Sequence, residues 1–276
     1  GIVYTPHPVA AIPTVILHTL CNAVPGSVGL AGGYPACTNQ FFVLRDSDLW
    51  ERFARGELPG RLDELQGHLE VTEAIQATSL QRGDVYCLVS TAGGGYGDPL
   101  ERDPRRVLRD VTNGLLSREC ALELYGVVLA TDGLAVDETA TAERRASLRE
   151  ARRRAGAVPG GRSTESREGG PAPQDRAGLQ GPGRPINESL RLIGTGDGAW
   201  IVCRCGRALC DGADNYKRHV LMARYPLSRS GPKAVTARGQ ELFELREYYC
   251  PGCLTQIEVE VALKTDDLLW DVQLTL

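Results

Sequence analysis

The sequence predicts an α+β protein in two parts, and three observations predict it. Capped helix-type segments alternate with strand-type runs up to about Val136. Composition then collapses to Gly, Pro, Ser, Arg and Gln between about Ala155 and Pro185. From Ile186 onward the pattern is strand, turn, strand, with paired cysteines in two of the turns. The expected division is therefore a mixed region over residues 1–154, a flexible linker over 155–185, and a small β-rich region over 186–276.

In the first region, ILHTL and NQFFVLR read as strands or buried helix, with the glycine-rich loop GLAGGYPACTN between them. SDLWERFARGELP reads as a short helix capped by Ser47, with Leu49, Trp50 and Phe53 on one face. QRGDVYCLVS is a turn leading into a strand. Asp103 caps a helix that has Pro104 at its first position, and Asn113-Gly114 ends it. Ser117 and Gly126 bracket a second helix, and a hairpin turns at Asp132-Gly133. TAERRASLREARRR carries six arginines, two glutamates and one leucine, which is the pattern of a solvated helix rather than a core element.

The segment from Ala155 to Pro185 has almost no large apolar residues, so little burial offsets its ordering entropy. Beyond it, SLRLIGTGDGAWIVCRCG and QELFELREYYCPGCLTQIEVEVAL each read as strand, turn, strand, and WDVQLTL as a last strand.

Cys203 and Cys205 sit in one of these turns, and Cys250 and Cys253 in the other. Four thiolates from two strand-end turns form a tetrahedral set that suits Zn²⁺. Such a closed site has no open position for water and is structural, coupling metal binding to the folding of a region with a small core. Two other readings stand beside it: buried free thiols, and a redox Cys-x-x-Cys, the latter without the βαβ context such a motif takes. Cys210, five residues past Cys205, is an alternative ligand. His219 reads as a surface histidine before it reads as a ligand.

Composition excludes several classes. Net charge is -4 with pI near 5.7, which argues against a general nucleic-acid binder. The most apolar run, VAAIPTVILHTLCNAV, is interrupted by Pro13 and His18 and is shorter than the roughly 20 residues of a membrane span. It lacks the basic flank of a signal peptide, so a cytoplasmic location is expected. STAGGGYGDP has neither the ending of a P-loop nor the spacing of a dinucleotide fingerprint, so its glycines read as a tight loop with Asp98-Pro99 setting a turn. His18 with Cys21 reads as core histidine and buried thiol; Cys37, Cys87 and Cys120 read as buried. No catalytic set stands out.

GGGYGDPLERDPRRVLRDVTNGLLSRECALELYGVVL, from Gly93 to Leu129, resembles the C-terminal end of hydantoinase B-type subunits, and LAGGYPACTN and LQRGDVY fit the same family. The resemblance covers about residues 15–150, a short stretch beside a full-length subunit. That family includes one of the subunits of ATP-dependent hydantoinases and oxoprolinases and the large subunit of acetone and acetophenone carboxylases. WIVCRCGRALCDGADNYKRH and LREYYCPGCLTQIEVEV resemble the small zinc-binding subunit of those carboxylases.

The resemblance implies a truncated hydantoinase B-type region joined to a zinc-ribbon-like, gamma-subunit-like region. It implies structural Zn²⁺ on Cys203, Cys205, Cys250 and Cys253, with no catalytic or cofactor-binding residue carried over. The implied activity is that of a subunit in an ATP-dependent ketone carboxylase hetero-oligomer, making a β-keto acid from ketone and bicarbonate. Its implied partners are a hydantoinase A-type ATP-binding subunit and a further hydantoinase B-type subunit, which would hold ATP and a second divalent metal. The alternatives are a subunit of an ATP-dependent amidohydrolase and a non-enzymatic zinc-ribbon scaffold. On this reading Cys250→Ser unfolds only the C-terminal region, and a cut near Gly170 leaves two separately folded pieces.

Overall fold

The computed structural model describes residues 2–6, 15–20, 26–60, 62–72, 75–159, 183–230, 236–237 and 240–274. The architecture is mixed helix and antiparallel sheet, and the chain packs as two compact units. One comprises Gly1–Ser27, Ala36–Gly93 and Gly231–Val235; the other comprises Val28–Pro35, Gly94–Ser230 and Thr236–Leu276. Among the described residues no helix is long and apolar enough to cross a membrane. Cys21 and Gly170 lie outside the described residues, as does most of the 155–185 segment.

The first unit is built on strands β1 (Ile2–Pro6), β3 (Gln40–Arg45), β4 (His68–Thr72) and β6 (Val85–Val89), in the order β1-β6-β3-β4. A separate antiparallel pair joins β2 (Val15–Leu20) to β5 (Ile75–Leu80). Leu44, Leu49 and Val85 form a small core under helix α1 (Leu49–Ala54). Arg45 anchors the sheet through Glu70 Oε2 at 2.8 Å and the buried Asp84 Oδ2 at 2.7 Å. The cap of α1 differs from expectation. Asp48 is the N-terminal flanking residue, its carboxylate bonding to Arg52 Nε at 2.7 Å and to Gln66 N at 2.8 Å. Ser47 Oγ is buried and makes no hydrogen bond. Cys87 is buried as expected, whereas Cys37 is only half-buried.

In the second unit, α2 (Pro104–Thr112) and α3 (Arg118–Glu123) carry the expected caps: Asp103 accepts from Arg105 N and Ser117 from Cys120 N. Val107, Ala121 and Val127 close a core between them; Cys120 is half-buried. The Asp132-Gly133 turn forms, with Leu129 bridged to Val136. Helix α4 (Glu138–Ala155) is mostly exposed, as its composition predicts, but one part of it is anchored. Thr141 and Arg152 are buried on it, Arg145 Nη2 donates to Arg102 O at 2.6 Å, and its end continues into a bridge from Ala157 to Met222.

The remaining strands are β7 (Arg184–Pro185), β8 (Leu190–Ile193), β9 (Trp200–Cys203), β10 (Ala208–Asp211), β11 (Leu221–Pro226), β12 (Thr236–Ala237), β13 (Gln240–Glu241), β14 (Phe243–Tyr249) and β15 (Gln256–Leu263). They make two main sheets, β10-β9-β8-β7 and β11-β14-β15, and a short β12–β13 pair. Leu190, Ile201, Leu209, Val220, Tyr248 and Ile257 fill the core shared by the two sheets. Glu244, Arg246 and Glu247 of β14 are all buried. Burial of charge demands partners, and each has them. Arg246 donates to Glu244 Oε1 at 2.7 Å and to the carbonyls of Leu263, Asp266 and Asp267. Glu247 accepts from Tyr249 OH, from Tyr34 OH at 2.8 Å and from Arg229 Nε at 2.8 Å.

The segment WDVQLTL does not form the expected last strand over its described residues. Residues 266–274 run as a strap whose polar atoms are taken by side chains: Lys217 Nζ lies 3.2 Å from Asp271 Oδ1, and Asn215 Nδ2 donates to Leu269 O at 3.3 Å. Under the strap, burial pushes Glu258 up to about 7, with Asp271 and Glu260 adding and Lys217 opposing. The folded value lies above the unfolded one, so ionisation costs stability progressively as pH rises from the ordinary carboxylate range to about 7. Glu258→Gln is expected to stabilise the chain by on the order of 1–3 kcal/mol at pH 8 and by less at pH 5.5. Thermal melts at the two pH values test this; an equal shift at both would show that the carboxyl is not strained.

Two glycine-rich loops interlock in this unit. Leu30 N donates to Gly95 O, Gly95 N to Tyr34 O, and Gly97 N to Leu30 O, all at 2.8–2.9 Å. A Cβ on Gly94 would stand 1.9 Å from Val28 O, and one on Gly32 would stand 2.1 Å from Gln256 O. The glycines therefore serve backbone-to-backbone packing, in line with their reading as structural. Gly32 also has φ +94°. Gly32→Ala is expected to cost about 2–4 kcal/mol, measurable by urea unfolding; a cost below about 0.5 kcal/mol would show that the interlock is loose.

Candidate metal centre

The two cysteine turns come from different sheets. The first, residues 203–207, joins β9 to β10 and is closed by Cys203 N to Arg207 O and Gly206 N to Cys203 O, both 2.8 Å. Gly206 takes φ +90° to make it. The second, residues 250–255, joins β14 to β15 and is closed by Cys250 N to Thr255 O at 3.0 Å and Leu254 N to Cys250 O at 2.9 Å. Gly252 N donates to Cys250 Sγ at 3.4 Å.

The structure brings Cys203, Cys205, Cys250 and Cys253 together, with all four sulfurs within 4.8 Å of one another. Cys203 Sγ lies 3.8 Å from Cys253 Sγ, and Cys205 Sγ lies 3.7 Å from Cys250 Sγ. A disulfide would need about 2.05 Å. A tetrahedron with metal–sulfur bonds of about 2.3 Å has edges of about 3.8 Å, so these contacts have the spacing that a tetrathiolate site needs. Cys203 and Cys250 are buried, Cys253 is half-buried and Cys205 is exposed.

The electrostatics fit the same reading. Hydrogen bonding to Cys250 and Cys253 pushes the Cys203 thiol up, whereas bonds from Cys203 and Cys250 hold Cys253 low. A dication among the sulfurs would favour their ionised forms. Cys210 is not part of the cluster. It is buried, its thiol donates to Asp214 O at 3.8 Å, and burial raises it. His219 is also elsewhere, with Nε2 2.8 Å from Asp214 Oδ2.

What the sequence does not announce is the surrounding of the second turn. Asp98 and Arg152 form a buried two-pronged pair at 2.7 and 2.8 Å. Arg152 Nη1 also donates to Leu254 O at 3.0 Å, and Asp98 Oδ2 accepts from Gln256 N at 3.0 Å. Burial alone would raise the Asp98 carboxyl, but the Arg152 guanidinium and the backbone donors of Gln256 and Leu100 hold it below its usual range. Thr255 Oγ1 donates to Glu101 Oε1 at 3.2 Å, and Glu101 also pairs with Arg204 of the first turn. The segment GYGDPLER thus seats on both cysteine turns. A cavity of about 410 Å³ opens beside it, with Tyr34, Tyr96, Arg102, Tyr125 and Arg204 among its lining residues. Both guanidiniums are already engaged, Arg204 by Glu101 and Arg102 by Asp110.

Comparison with known proteins follows the same division. Residues 184–276 match the model of the family described as acetone carboxylase gamma subunit. The N-terminal part is similar to the acetone carboxylase alpha subunit of Xanthobacter autotrophicus, 33% identical over 141 residues, covering 45% of this chain and 18% of the relative. It is similar to the acetophenone carboxylase delta subunit of Aromatoleum aromaticum, 31% identical over 137 residues, covering 46% and 20%. A putative D-/L-hydantoinase chain of the B type from a Pseudomonas species is 38% identical over 90 residues, covering 33% and 15%. The chain spans no more than 20% of the length of these relatives. One polypeptide therefore carries a C-terminal region matched by the acetone carboxylase gamma subunit family and an N-terminal part similar to acetone and acetophenone carboxylase subunits and hydantoinase B-type subunits.

Proposed function

We propose that this chain is a subunit of an ATP-dependent ketone carboxylase that converts a ketone and bicarbonate into a β-keto acid. The observation that carries the reading is the joining of the gamma-subunit match to the region similar to carboxylase large subunits on one polypeptide. The three-part division at residues 154 and 186 belongs to this proposal: a truncated hydantoinase B-type region, a linker, and a zinc-ribbon-like gamma region. Cys203, Cys205, Cys250 and Cys253 hold a Zn²⁺ ion whose closed shell serves structure, leaving no position for substrate.

Carbon–carbon bond formation from bicarbonate is uphill, and a phosphate leaving group drives it. ATP belongs to a hydantoinase A-type partner, and a further hydantoinase B-type chain and a second divalent metal complete a hetero-oligomer. The role of this chain's own residues is to present the seam of Asp98, Glu101 and Arg204 as a rigid, zinc-braced part of that assembly.

The test is to isolate the native complex through this chain and measure ATP hydrolysis over a panel of ketones and cyclic amides. Hydrolysis that requires both a ketone and bicarbonate supports the proposal. Hydrolysis with cyclic amides alone would move the chain to the hydantoinase-type relatives, and no ATP-using partner at all would leave a scaffold.

A further inference from the structure

We infer that Asp98 and Arg152, from the part of the chain similar to large subunits, are positioning residues for the cysteine metal site, acting through contacts that each span more than one hundred positions in sequence. The inference rests on the metal reading above and goes beyond the four ligands. Three consecutive residues follow the ligand Cys253, and each is held from outside the turn. Arg152 Nη1 holds the carbonyl of Leu254 at 3.0 Å, Glu101 accepts from the hydroxyl of Thr255 at 3.2 Å, and Asp98 Oδ2 accepts from the amide of Gln256 at 3.0 Å.

Leu254 needs such holding. Its φ is +63°, a left-handed conformation that a leucine adopts only when its surroundings enforce it. The strained residue directly follows Cys253, so relaxation to negative φ would swing the preceding backbone and carry Cys253 Sγ away from Cys203 Sγ. Arg152 is fixed in turn by its two-pronged bond to Asp98 and lies over the Tyr249 ring at 5.2 Å, adjacent to the ligand Cys250. The backbone of the first cysteine turn is braced within the C-terminal region, by Arg204 N donating to Ser189 O at 2.8 Å, and its Arg204 side chain reaches Glu101. The metal site is thus complete only when residues 98 and 152 are in place, because groups that orient the ligands set how much reorganisation binding requires.

The experiment loads the full chain with Zn²⁺ and with Co²⁺, titrates each against a competing chelator, and records the cobalt–thiolate absorption. Wild type is compared with Asp98→Asn, Arg152→Met and, as a control on the exposed face of the same helix, Arg153→Met. Asp98→Asn and Arg152→Met are expected to weaken metal binding at least about tenfold and to shift the cobalt–thiolate band, with Arg153→Met unchanged. If both variants bind as tightly as wild type with the same spectrum while melting earlier, the pair is a fold stabiliser only and the inference fails. Should either variant not fold, hydrogen exchange on the wild type with and without metal decides. Loss of protection at residues 98–100 and 150–154 on metal removal supports the coupling, since linkage is reciprocal; unchanged protection there overturns it. A wild-type chain that takes up neither metal overturns the metal reading itself, a result distinct from equal binding by all variants.

Discussion

On the proposed zinc reading, Cys250→Ser is expected to abolish metal binding and cooperative folding of the whole second unit. Cys250 is buried at the end of β14, and its sulfur lies 3.7 Å from that of Cys205. A serine oxygen is shorter, harder and far less readily ionised, leaving three thiolates and an open corner. Structural zinc binding is worth about 10–16 kcal/mol in small metal-dependent folds, more than the roughly 5–15 kcal/mol that most domains have in total. On sequence grounds the damage should end at the C-terminal region. The contacts of Leu254, Thr255 and Gln256 with Arg152, Glu101 and Asp98 extend it to residues 94–158. Metal content and thermal melting followed by hydrogen exchange test this. Retained metal with unchanged melting would refute the four-thiolate assignment, and full protection of residues 94–158 without metal would restrict the effect to the C-terminal region.

Arg152→Ala is expected to destabilise the chain by about 3–5 kcal/mol, the cost of leaving a buried charge without its partner. Asp98 is buried and would lose both prongs of its ion pair, while the Leu254 carbonyl would lose its donor. Arg153→Ala, one position on, removes only an exposed pair with Glu150 at 3.3 Å and should cost under about 1 kcal/mol. Urea unfolding of the two variants makes the comparison; equal small costs would mean that water reaches the pair. The pair also has a pH signature. Because the folded Asp98 carboxyl is held below its ordinary value, its contribution is present above the ordinary carboxylate range and is lost only as pH falls below it.

Features governed by local chemistry were legible in the sequence. Asp103 before Pro104, Ser117 three positions before Cys120, and the cysteine pairs at 203/205 and 250/253 all announce themselves within a few residues, and the structure forms each one. Arg152 was illegible for the opposite reason. It is one of six arginines in a helix without an apolar stripe, and its partner Asp98 is 54 positions away. Nothing periodic distinguishes it from Arg153. Strand β14 was legible as a strand but not as one that buries Glu244, Arg246 and Glu247, because the groups that neutralise them come from Tyr34, Arg229 and the 263–267 carbonyls. Ser47 looked like a cap, yet Asp48 lies one residue nearer the helix and its carboxylate reaches both Arg52 and Gln66.

The clasp of Gln256 on Gly32 O, at 2.6 Å across 224 positions, sets the order in which this protein can be made. A ribosome adding about 5–20 residues per second takes on the order of 11–45 s to travel from the glycine loop to the strand that closes over it. During that interval the loop backbone and the Asp98 carboxyl have no partner from β15, and Arg152 emerges before the carbonyl it will hold. The second unit therefore condenses late, once the nascent chain has carried both cysteine turns clear of the exit tunnel. On the proposed zinc reading, metal would be needed at that moment rather than earlier in synthesis.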